Sequence, residues 1–316
     1  MRYSIRACGT PEMAASDALI DAPAAGPRQA LRLLVSDPFA LAAAIFLLLL
    51  VAGAILGPWL LEELATRPQL RMRNAAPFTL EHGWAYVLGA DSLGRSILAR
   101  LLVAARSTLT IAAAAVAIAM VFGAALGLLA GFTRSWIGDL VMRLTDIVMS
   151  FPSTLLAVVI LYTFRPSILT LVAVLAITRL PVYIRTTRAE VLEIRERMFV
   201  SAARVMGASS LRIALRHVLP MVLPTLLTIA TVEFAIVMLA ESGLSFLGIG
   251  IQPPEVTWGL MVAQGRGYLA SAWWLSFFPG VAIMLTTLAL NLLSGWMRIA
   301  TDPMQRWRLE VAGGWK

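Results

Sequence analysis

The first long uncharged stretch of this sequence constrains the fold more than any other feature. Residues 39–61 contain no charged side chain. As an α-helix this stretch would be about 34 Å long at ~1.5 Å per residue, which is enough to cross the hydrocarbon core of a bilayer. Further uncharged or nearly uncharged stretches follow at 107–133, 140–164, 167–184, 218–240 and 271–297. The sequence therefore predicts an all-α integral membrane protein with six transmembrane helices.

Two of these stretches carry signals about helix shape and packing. Pro152 lies inside the third stretch and removes one backbone hydrogen bond, so we expect a kink there. Gly123, Gly127 and Gly131 are spaced four residues apart in the second stretch. Such a ridge of small residues lets two helices approach closely in lipid. We expect it to contact another helix of the same chain.

The composition agrees with a membrane protein and argues against several other classes. Hydrophobic residues make up 59% of the chain and charged residues 14%, against about 25% charged in soluble domains. The net charge of +8 does not indicate a nucleic-acid partner, because the arginines are scattered among apolar stretches and form no basic face with stacking aromatics. The single cysteine, Cys8, excludes an intramolecular disulfide and a cysteine-cluster metal site. The only histidines, His82 and His217, are predicted on opposite sides of the membrane, so no metal site is expected.

The stretches divide the chain into predicted segments, and arginine placement orients them. Arginines are more frequent in the segments that lie inside if the N-terminus is inside, which predicts that both termini are cytoplasmic. The long segment after the first span is rich in arginine and opposes this orientation, although long loops follow the rule poorly. The predicted segments are a flexible cytoplasmic N-terminal arm (1–37), a first transmembrane anchor (38–61), a periplasmic or external segment (62–105), a five-helix core (106–298) with a polar loop at 185–219, and a cytoplasmic tail (299–316).

The polar loop contains a pattern of small residues and helix breakers. Ala202 and Ala203 follow Ser201, Gly207 comes four residues after Ala203, and Leu219 and Pro220 precede the next apolar stretch. Glycine favours a turn and proline favours the first turn of a helix. The pattern predicts a short helix, a turn, a second short helix and the start of a membrane span. Such an element could dock on another protein.

This loop resembles the EAA loop in the membrane subunits of bacterial ABC importers. Two further motifs are similar to the dipeptide, oligopeptide and nickel branch of that family: residues 89–95 (Gly-Ala-Asp-Ser-Leu-Gly-Arg), and residues 241–250 (Glu-Ser-Gly-Leu-Ser-Phe-Leu-Gly-Ile-Gly) followed by Gln252, Pro253, Pro254, Trp258 and Gly259. The resemblance covers about residues 88–303. Ser201 stands where the family usually has a glutamate.

The resemblance implies a permease subunit of an ATP-driven importer in the bacterial inner membrane. The first short helix of the loop would sit in a groove of an ATPase subunit. The implied partners are a second homologous permease, two ATPase subunits and a periplasmic or lipid-anchored substrate-binding protein, with membrane lipid around them. The implied cargo is di- or oligopeptides, with nickel or glutathione-like compounds as further candidates. The outer surface that receives the binding protein would include Ser245, Phe246, Leu247, Gly248, Pro253, Pro254 and Trp258.

The sequence offers no means of hydrolysing ATP on this chain. It contains no phosphate-binding loop, and its only lysine, Lys316, is the last residue. We therefore predict that this chain is not an enzyme, that it binds no cofactor, and that ATP and Mg²⁺ are used by the partner ATPases.

Ionisable residues within the predicted spans are candidates for a polar transport path, because charges in a membrane are costly and usually functional. We take Glu233, Asp146 and Glu241 as these candidates. A structural alternative is that Arg143 pairs with Asp146 on one helix face and that Arg179 snorkels to the interface. We expect Trp258, Trp273 and Trp274 to mark the interface belt.

Two other functions compete with the importer subunit. An ion- or proton-driven secondary transporter could use Asp146 and Glu233 as relay groups, but it would need an internal inverted repeat that the sequence does not show. A membrane-embedded hydrolase would need a catalytic or metal-ligand constellation, and none is evident.

Overall fold

The computed structural model describes residues 27–78, 83–132, 136–164 and 167–301. Within these ranges the chain is helical, and its only β-structure is an isolated bridge between Ala90 and Ser96. The helices are α1 (Pro27–Ser36), α2 (Pro38–Thr66), α3 (Ile97–Phe132), α4 (Trp136–Ser150), α5 (Ser153–Thr163), α6 (Ile168–Ile194), α7 (Met198–Val205), α8 (Ser210–Ile213), α9 (Leu219–Phe246), α10 (Trp258–Gly265) and α11 (Trp274–Thr301). A π-helical segment, Ala214–Val218, joins α8 to α9.

Five helical segments in the described ranges are long and apolar enough to cross a membrane: α2, α3, α6, the α8–α9 unit and α11. A sixth crossing is reached only if α4 and α5 together form one span. The predicted all-α membrane fold is confirmed, and the predicted six spans correspond to this upper count.

The third predicted span is broken and not merely kinked. Helices α4 and α5 meet at an angle of 88°. Proline restricts the residue before it to extended conformations and cannot donate a hydrogen bond to the preceding turn. Pro152 therefore separates the two helices and stands at the N-cap position of α5.

The ends of the first two spans differ from the sequence prediction. Residues 27–36 of the predicted flexible arm form α1, whose Leu33 packs with Ala300 of α11; residues 1–26 lie outside the described ranges. Asp37 caps α2 by accepting hydrogen bonds from the Phe39 and Ala40 backbone amides at 3.0 and 3.1 Å. Helix α2 continues to Thr66 and α3 begins at Ile97, so the connecting segment is 67–96 and not 62–105.

The core loop and the tail also differ from prediction. Helix α6 extends to Ile194, so the polar loop occupies 195–218 and not 185–219. Helix α11 reaches Thr301, which shortens the predicted tail; residues 302–316 lie outside the described ranges. Charged residues at helix ends explain these differences, because they interrupt an apolar stretch without interrupting the helix.

The glycine ridge of α3 packs against α6, as predicted for an intrachain contact. A Cβ atom added to Gly127 would lie 2.5 Å from Cβ of Thr187, and one added to Gly131 would lie 2.7 Å from Cγ1 of Val191. Only glycine permits this backbone separation. Helix α3 also contacts α2 and α9, so it forms the centre of the bundle.

The 67–96 segment folds onto the ends of α3 and α10 through a buried ionic network. The Asp91 carboxylate accepts hydrogen bonds from Arg95 Nε at 2.7 Å and from Arg100 Nη1 at 2.6 Å. Arg100 Nη2 then donates to Gln264 Oε1 of α10 at 2.9 Å. Burial, reinforced by the nearby Asp91 carboxylate, raises the pKa of the Tyr86 phenol in this segment. The motif at 89–95 thus fixes the segment to the bundle.

Candidate functional site

The polar loop folds into the predicted helix–turn–helix. Helix α7 ends in a Schellman motif, in which the Ala208 amide donates to the Ala203 carbonyl and the Gly207 amide donates to the Arg204 carbonyl, both at 3.0 Å. Gly207 has a φ of +84°, a backbone conformation that glycine adopts without steric cost. Ser209 then caps α8, its hydroxyl accepting from the Arg212 amide at 3.4 Å.

The second short helix is continuous with the following span. Helix α8 passes through the π-helical segment directly into α9, which has Leu219 and Pro220 in its first turn. Pro220 has no amide hydrogen to donate to the Arg216 carbonyl, four residues earlier. A π-helical turn changes the hydrogen-bonding pattern at this point and so accommodates the missing bond. The sequence predicted a separate second helix. The structure instead gives a continuous helical connection from Ser210, just after the turn at Gly207, into the membrane span.

The helix–turn–helix exposes apolar side chains at its tip. Met198, Val205 and Met206 are 88%, 89% and 81% exposed, whereas Val200 and Ala203 are buried against the bundle. Ser201 and Ala202 also face outward. Exposed apolar patches of this kind commonly mark protein–protein contacts. We call the outward side of α7 and the turn, comprising Met198, Ser201, Ala202, Val205 and Met206, the tip surface.

Arginines surround the tip surface and hold its base. Arg195 Nη1 donates to the Gly131 carbonyl at the end of α3, at 2.8 Å. The Arg204 guanidinium lies over the Phe132 ring, 5.9 Å from its centroid. Both contacts join the loop to α3. They support the tip surface as a defined element of the fold.

Asp146 pairs across helices and not within its own. Its carboxylate accepts a hydrogen bond from Arg185 of α6, and both side chains are about half exposed. The structural alternative of an Arg143–Asp146 pair is therefore wrong, because the α6 arginine lies closer to Asp146. An exposed ion pair between two helices of a membrane bundle faces water or a polar partner more favourably than lipid.

Glu233 lies inside the bundle opposite Arg179. Glu233 is 6% exposed, and its Oε2 is 3.8 Å from Arg179 Nε; Arg179 Nη2 also donates to Ser153 Oγ at 3.4 Å. The expectation that Arg179 snorkels to the interface is wrong, since its charge is neutralised within the protein. Arg179 thus connects α6 with α9 and with the first turn of α5.

The interface of α6 with its neighbours contains several incompletely bonded polar atoms. Tyr183 Oη, Thr187 Oγ1 and Glu233 Oε2 are buried, and none has a hydrogen-bond partner among the described residues. Arg179, Tyr183 and Thr187 are spaced four residues apart and share one face of α6. A buried unsatisfied group costs about 1–3 kcal/mol. A movement of the neighbouring helices against this face of α6 could therefore supply hydrogen-bond partners that these polar atoms lack here.

Glu241 is completely buried. Its carboxylate accepts hydrogen bonds from Ser245 Oγ at 2.8 Å and Ser242 Oγ at 3.4 Å, and it reaches no surface in this conformation. From the sequence alone, the glycines and serines of residues 241–250 favour a re-entrant or surface-lying loop. Residues 241–246 instead complete the last turns of α9, which terminates at a turn where Gly248 has a φ of +80°.

The residues predicted for the outer surface that receives a binding protein divide into a buried and an exposed group. Ser245 and Trp258 are fully buried, while Leu247, Pro253 and Pro254 are exposed and Phe246 is 37% exposed. The Trp258 indole donates to the Leu101 carbonyl at 2.9 Å, and the Trp274 indole donates to the Ala90 carbonyl at 3.2 Å. Trp258 and Trp274 therefore do not belong to an interface belt. Their polar atoms are satisfied inside the protein.

Sequence reasoning missed two pairings that shape the site. Asp91–Arg100–Gln264 and Arg179–Glu233 each join residues far apart in the sequence. Opposite charges in separate apolar stretches were the available signal, since buried charges require partners. That signal did not identify which charge pairs with which.

These features define a helical integral membrane protein with a solvent-facing helix–turn–helix inserted between two of its spans. The chain belongs to the family of binding-protein-dependent transport system inner membrane components, whose family model matches residues 123–306.

Relatives with similar sequences cover most of the chain. It is 41% identical to the di/tripeptide transport system permease protein DppC of Pseudomonas aeruginosa, over 84% of this chain and 88% of the relative. It is 34% identical to the glutathione transport system permease protein GsiD of Pectobacterium atrosepticum, over 84% and 86%. It is 32% identical to the probable D,D-dipeptide transport system permease protein DdpC of Escherichia coli, over 86% and 89%.

A solved structure supports the fold. A chain of the MetNI methionine ABC transporter, in an inward-facing conformation, is similar with a TM-score of 0.51 and 22% identity, over 66% of this chain and 95% of that chain. Family membership confirms the resemblance seen in the sequence. Neither a secondary transporter nor a membrane-embedded hydrolase finds support in this family.

Proposed function

We propose that this chain is a permease subunit of an ATP-driven importer and forms half of a translocation path for di- or oligopeptides. The observation that carries the proposal is the exposed tip surface between two membrane spans in a chain of this family. The names of the relatives favour peptides and include glutathione. Nickel gains no support from them.

The tip surface docks on a partner ATPase in this proposal. Its apolar side chains bury against a groove, and the surrounding arginines favour an acidic rim. Two ATPase subunits bind and hydrolyse ATP with Mg²⁺, one under each of two homologous permeases. The loop and both termini lie on the cytoplasmic side, where ATP is available.

The continuous α8–α9 unit transmits the motion. When the ATPases approach each other, a displacement of α7 turns the rigid unit that follows Gly207, and α9 moves relative to α6. The incompletely bonded face of α6 accommodates this movement, since alternative partners for Tyr183 and Thr187 lower its cost. Alternating access then opens the path to one side at a time.

The polar groups of α4, α6 and α9 line the path in this proposal. Asp146 and Arg185 are already exposed, and Glu233 becomes accessible when α9 shifts from Arg179. Glu241 remains a path candidate for the conformation in which Ser245 releases it. At the opposite end of α9, a periplasmic or lipid-anchored binding protein contacts Leu247, Pro253 and Pro254.

Co-purification and uptake test this function. The affinity-tagged chain is expressed in its native host and purified with whatever subunits accompany it. We expect a complex with a second permease and two ATPases that, in proteoliposomes, accumulates a labelled dipeptide only with ATP and binding protein. Accumulation by the isolated chain under an ion gradient, without ATPases, would refute the proposal.

A further inference from the structure

An apolar groove on the outside of the bundle ends at a single arginine. The groove lies between α2, α3, α9 and α11 and has a volume of about 420 Å³. Leu50, Ile55, Leu109 and Phe234 contribute to its walls, and Arg106 of α3 lines it as its only charged residue. In a membrane protein such a groove faces the acyl-chain region of the bilayer.

Arg106 also lines an adjoining cleft of different character. This cleft, of about 780 Å³, includes Trp59, Glu62 and Glu63 near the end of α2. Glu63 pairs with Arg67. Arg106 is exposed, and no carboxylate in the described part of the chain lies within 4.0 Å of its guanidinium. A cation therefore stands where an apolar groove meets an acidic cleft.

The depths of these groups follow from the helix geometry. Arg106 is nine residues from the start of α3, about 14 Å along its axis, whereas Glu62 is four residues from the end of α2, about 6 Å. Both helix ends adjoin the 67–96 segment. From the middle of the bilayer outward, the order is therefore the apolar groove, the Arg106 guanidinium and the Glu62 carboxylate. Side chains on a helix lean toward its N-terminus, so Arg106 extends toward the cleft.

This arrangement matches the chemistry of one class of membrane molecule. An aminophospholipid has an acyl chain, then a phosphate, then a primary ammonium. A phosphate on Arg106 would form charge-assisted hydrogen bonds and neutralise a cation that is costly among apolar groups. A lipid without an ammonium group would place its headgroup against Glu62 with no compensating charge.

We propose that the groove binds one molecule of phosphatidylethanolamine. An acyl chain lies along Leu50, Ile55 and Leu109, the phosphate contacts Arg106, and the ammonium contacts Glu62. The site is formed by this chain alone. Lipid binding there can be measured without transport and without the ATPase subunits.

Native mass spectrometry of the delipidated, full-length protein tests the proposal. The probes are phosphatidylethanolamine and phosphatidylglycerol with identical acyl chains, titrated in detergent. We expect one phosphatidylethanolamine to bind about tenfold more tightly than phosphatidylglycerol, and Arg106→Gln to weaken its binding by at least about fivefold, as for a partly desolvated ionic contact. The matched control Arg71→Gln removes an exposed arginine outside the groove and the cleft and leaves binding unchanged.

Two further variants separate the parts of the site. Glu62→Gln abolishes the preference for phosphatidylethanolamine over phosphatidylglycerol. Ala113→Phe fills the apolar groove without changing any charge and weakens the binding of both lipids. Equal binding by wild type and Arg106→Gln would overturn the proposal, as would a preference of the wild type for phosphatidylglycerol. It would also be overturned if the groove were covered by a partner subunit, seen as cross-linking from Ile55→Cys with no lipid retained in the assembled complex.

Discussion

Buried charges at two places in this chain have opposite consequences for stability and function. Asp91 is almost completely buried, yet it accepts hydrogen bonds from two arginines and from two backbone amides. Glu233 is also buried, but its contact with Arg179 is long and one of its oxygens has no hydrogen-bond partner among the described residues. A fully satisfied group stabilises one conformation, whereas a partly satisfied group leaves room for another.

Replacing Asp91 should therefore destabilise the protein. Asp91→Asn leaves Arg100 buried without a compensating charge, at a cost of about 3–5 kcal/mol. We expect the unfolding temperature in detergent to fall on the order of 5–10 °C. The control Glu63→Gln breaks an exposed pair, for which a cost of about 0–1 kcal/mol is expected. An unchanged unfolding temperature for Asp91→Asn would show that the network contributes little.

The Arg179–Glu233 pair can be tested by exchanging its charges. Glu233→Gln should reduce both folded yield and uptake, because it leaves a buried cation. In the double variant Arg179→Glu, Glu233→Arg the charges again compensate, so we expect the folded yield to recover. Uptake should remain well below that of the wild type if Glu233 serves the path, because ionisable residues inside a membrane are usually functional. Recovery of uptake together with yield would assign the pair a structural role only.

At the scale of secondary-structure elements, the junction between α7 and α8 determines how the loop works. Helix α7 presents the tip surface. After Ser209 the chain stays helical from α8 through the π-helical segment into α9. Gly207 is the one position between them with a positive φ, and a Cβ atom there would contact nothing within 4 Å. Substitution at this position therefore acts through backbone strain and not through a clash.

Changing Gly207 should separate ATP hydrolysis from transport. Valine at a φ of +84° costs about 1–3 kcal/mol, which the chain relieves by reorienting α7 relative to α8. We expect Gly207→Val to insert and assemble but to hydrolyse ATP with little dipeptide uptake, measured in the same proteoliposomes. Gly280→Val in α11 is the control, because that site is also open but has no positive φ. Normal uptake per ATP hydrolysed in Gly207→Val would contradict the proposed transmission of motion from α7 through the α8–α9 unit.

At the scale of the whole molecule, the distribution of surfaces is consistent with a subunit of a larger assembly. One end of the bundle presents the tip surface. Along the sides of the bundle, α2 carries exposed apolar side chains, and α4 and α6 share an exposed ion pair. Leu247 and the two adjacent prolines of the α9–α10 connection are exposed at the other end of α9. The exposed apolar side chains of α2 are suited to contact lipid. The exposed ion pair on α4 and α6 is suited to contact a polar partner or an aqueous path.

The proposed orientation is testable because the chain has a single cysteine. In a Cys8→Ser background expressed without the partner ATPases, which would cover the tip surface, Ser201→Cys and Gln252→Cys place one thiol in the tip surface and one in the exposed α9–α10 connection. A membrane-impermeant maleimide applied to intact cells should label Gln252→Cys only, and permeabilised cells should also label Ser201→Cys. Labelling of Ser201→Cys in intact cells would reverse the orientation and remove the ATPase contact.

The sequence by itself determined the membrane class, the position of the apolar spans and the helix–turn–helix with its turn at Gly207. These features depend on local composition and on the backbone preferences of single residues, which neighbouring sequence is sufficient to reveal.

Only the tertiary structure decided the partners of Asp146, Glu233 and Asp91, the burial of Trp258 and the 88° bend between α4 and α5. The partners of Asp146 and Glu233 and the burial of Trp258 depend on which helices lie side by side, whereas the Asp91 contacts and the size of the bend depend on how local segments fold onto the bundle. In lipid, packing and internal hydrogen bonds select those neighbours, and neither is encoded in the hydropathy of a single stretch. The groove that ends at Arg106 also depends on tertiary packing, because helices from the first and the last third of the chain form it together.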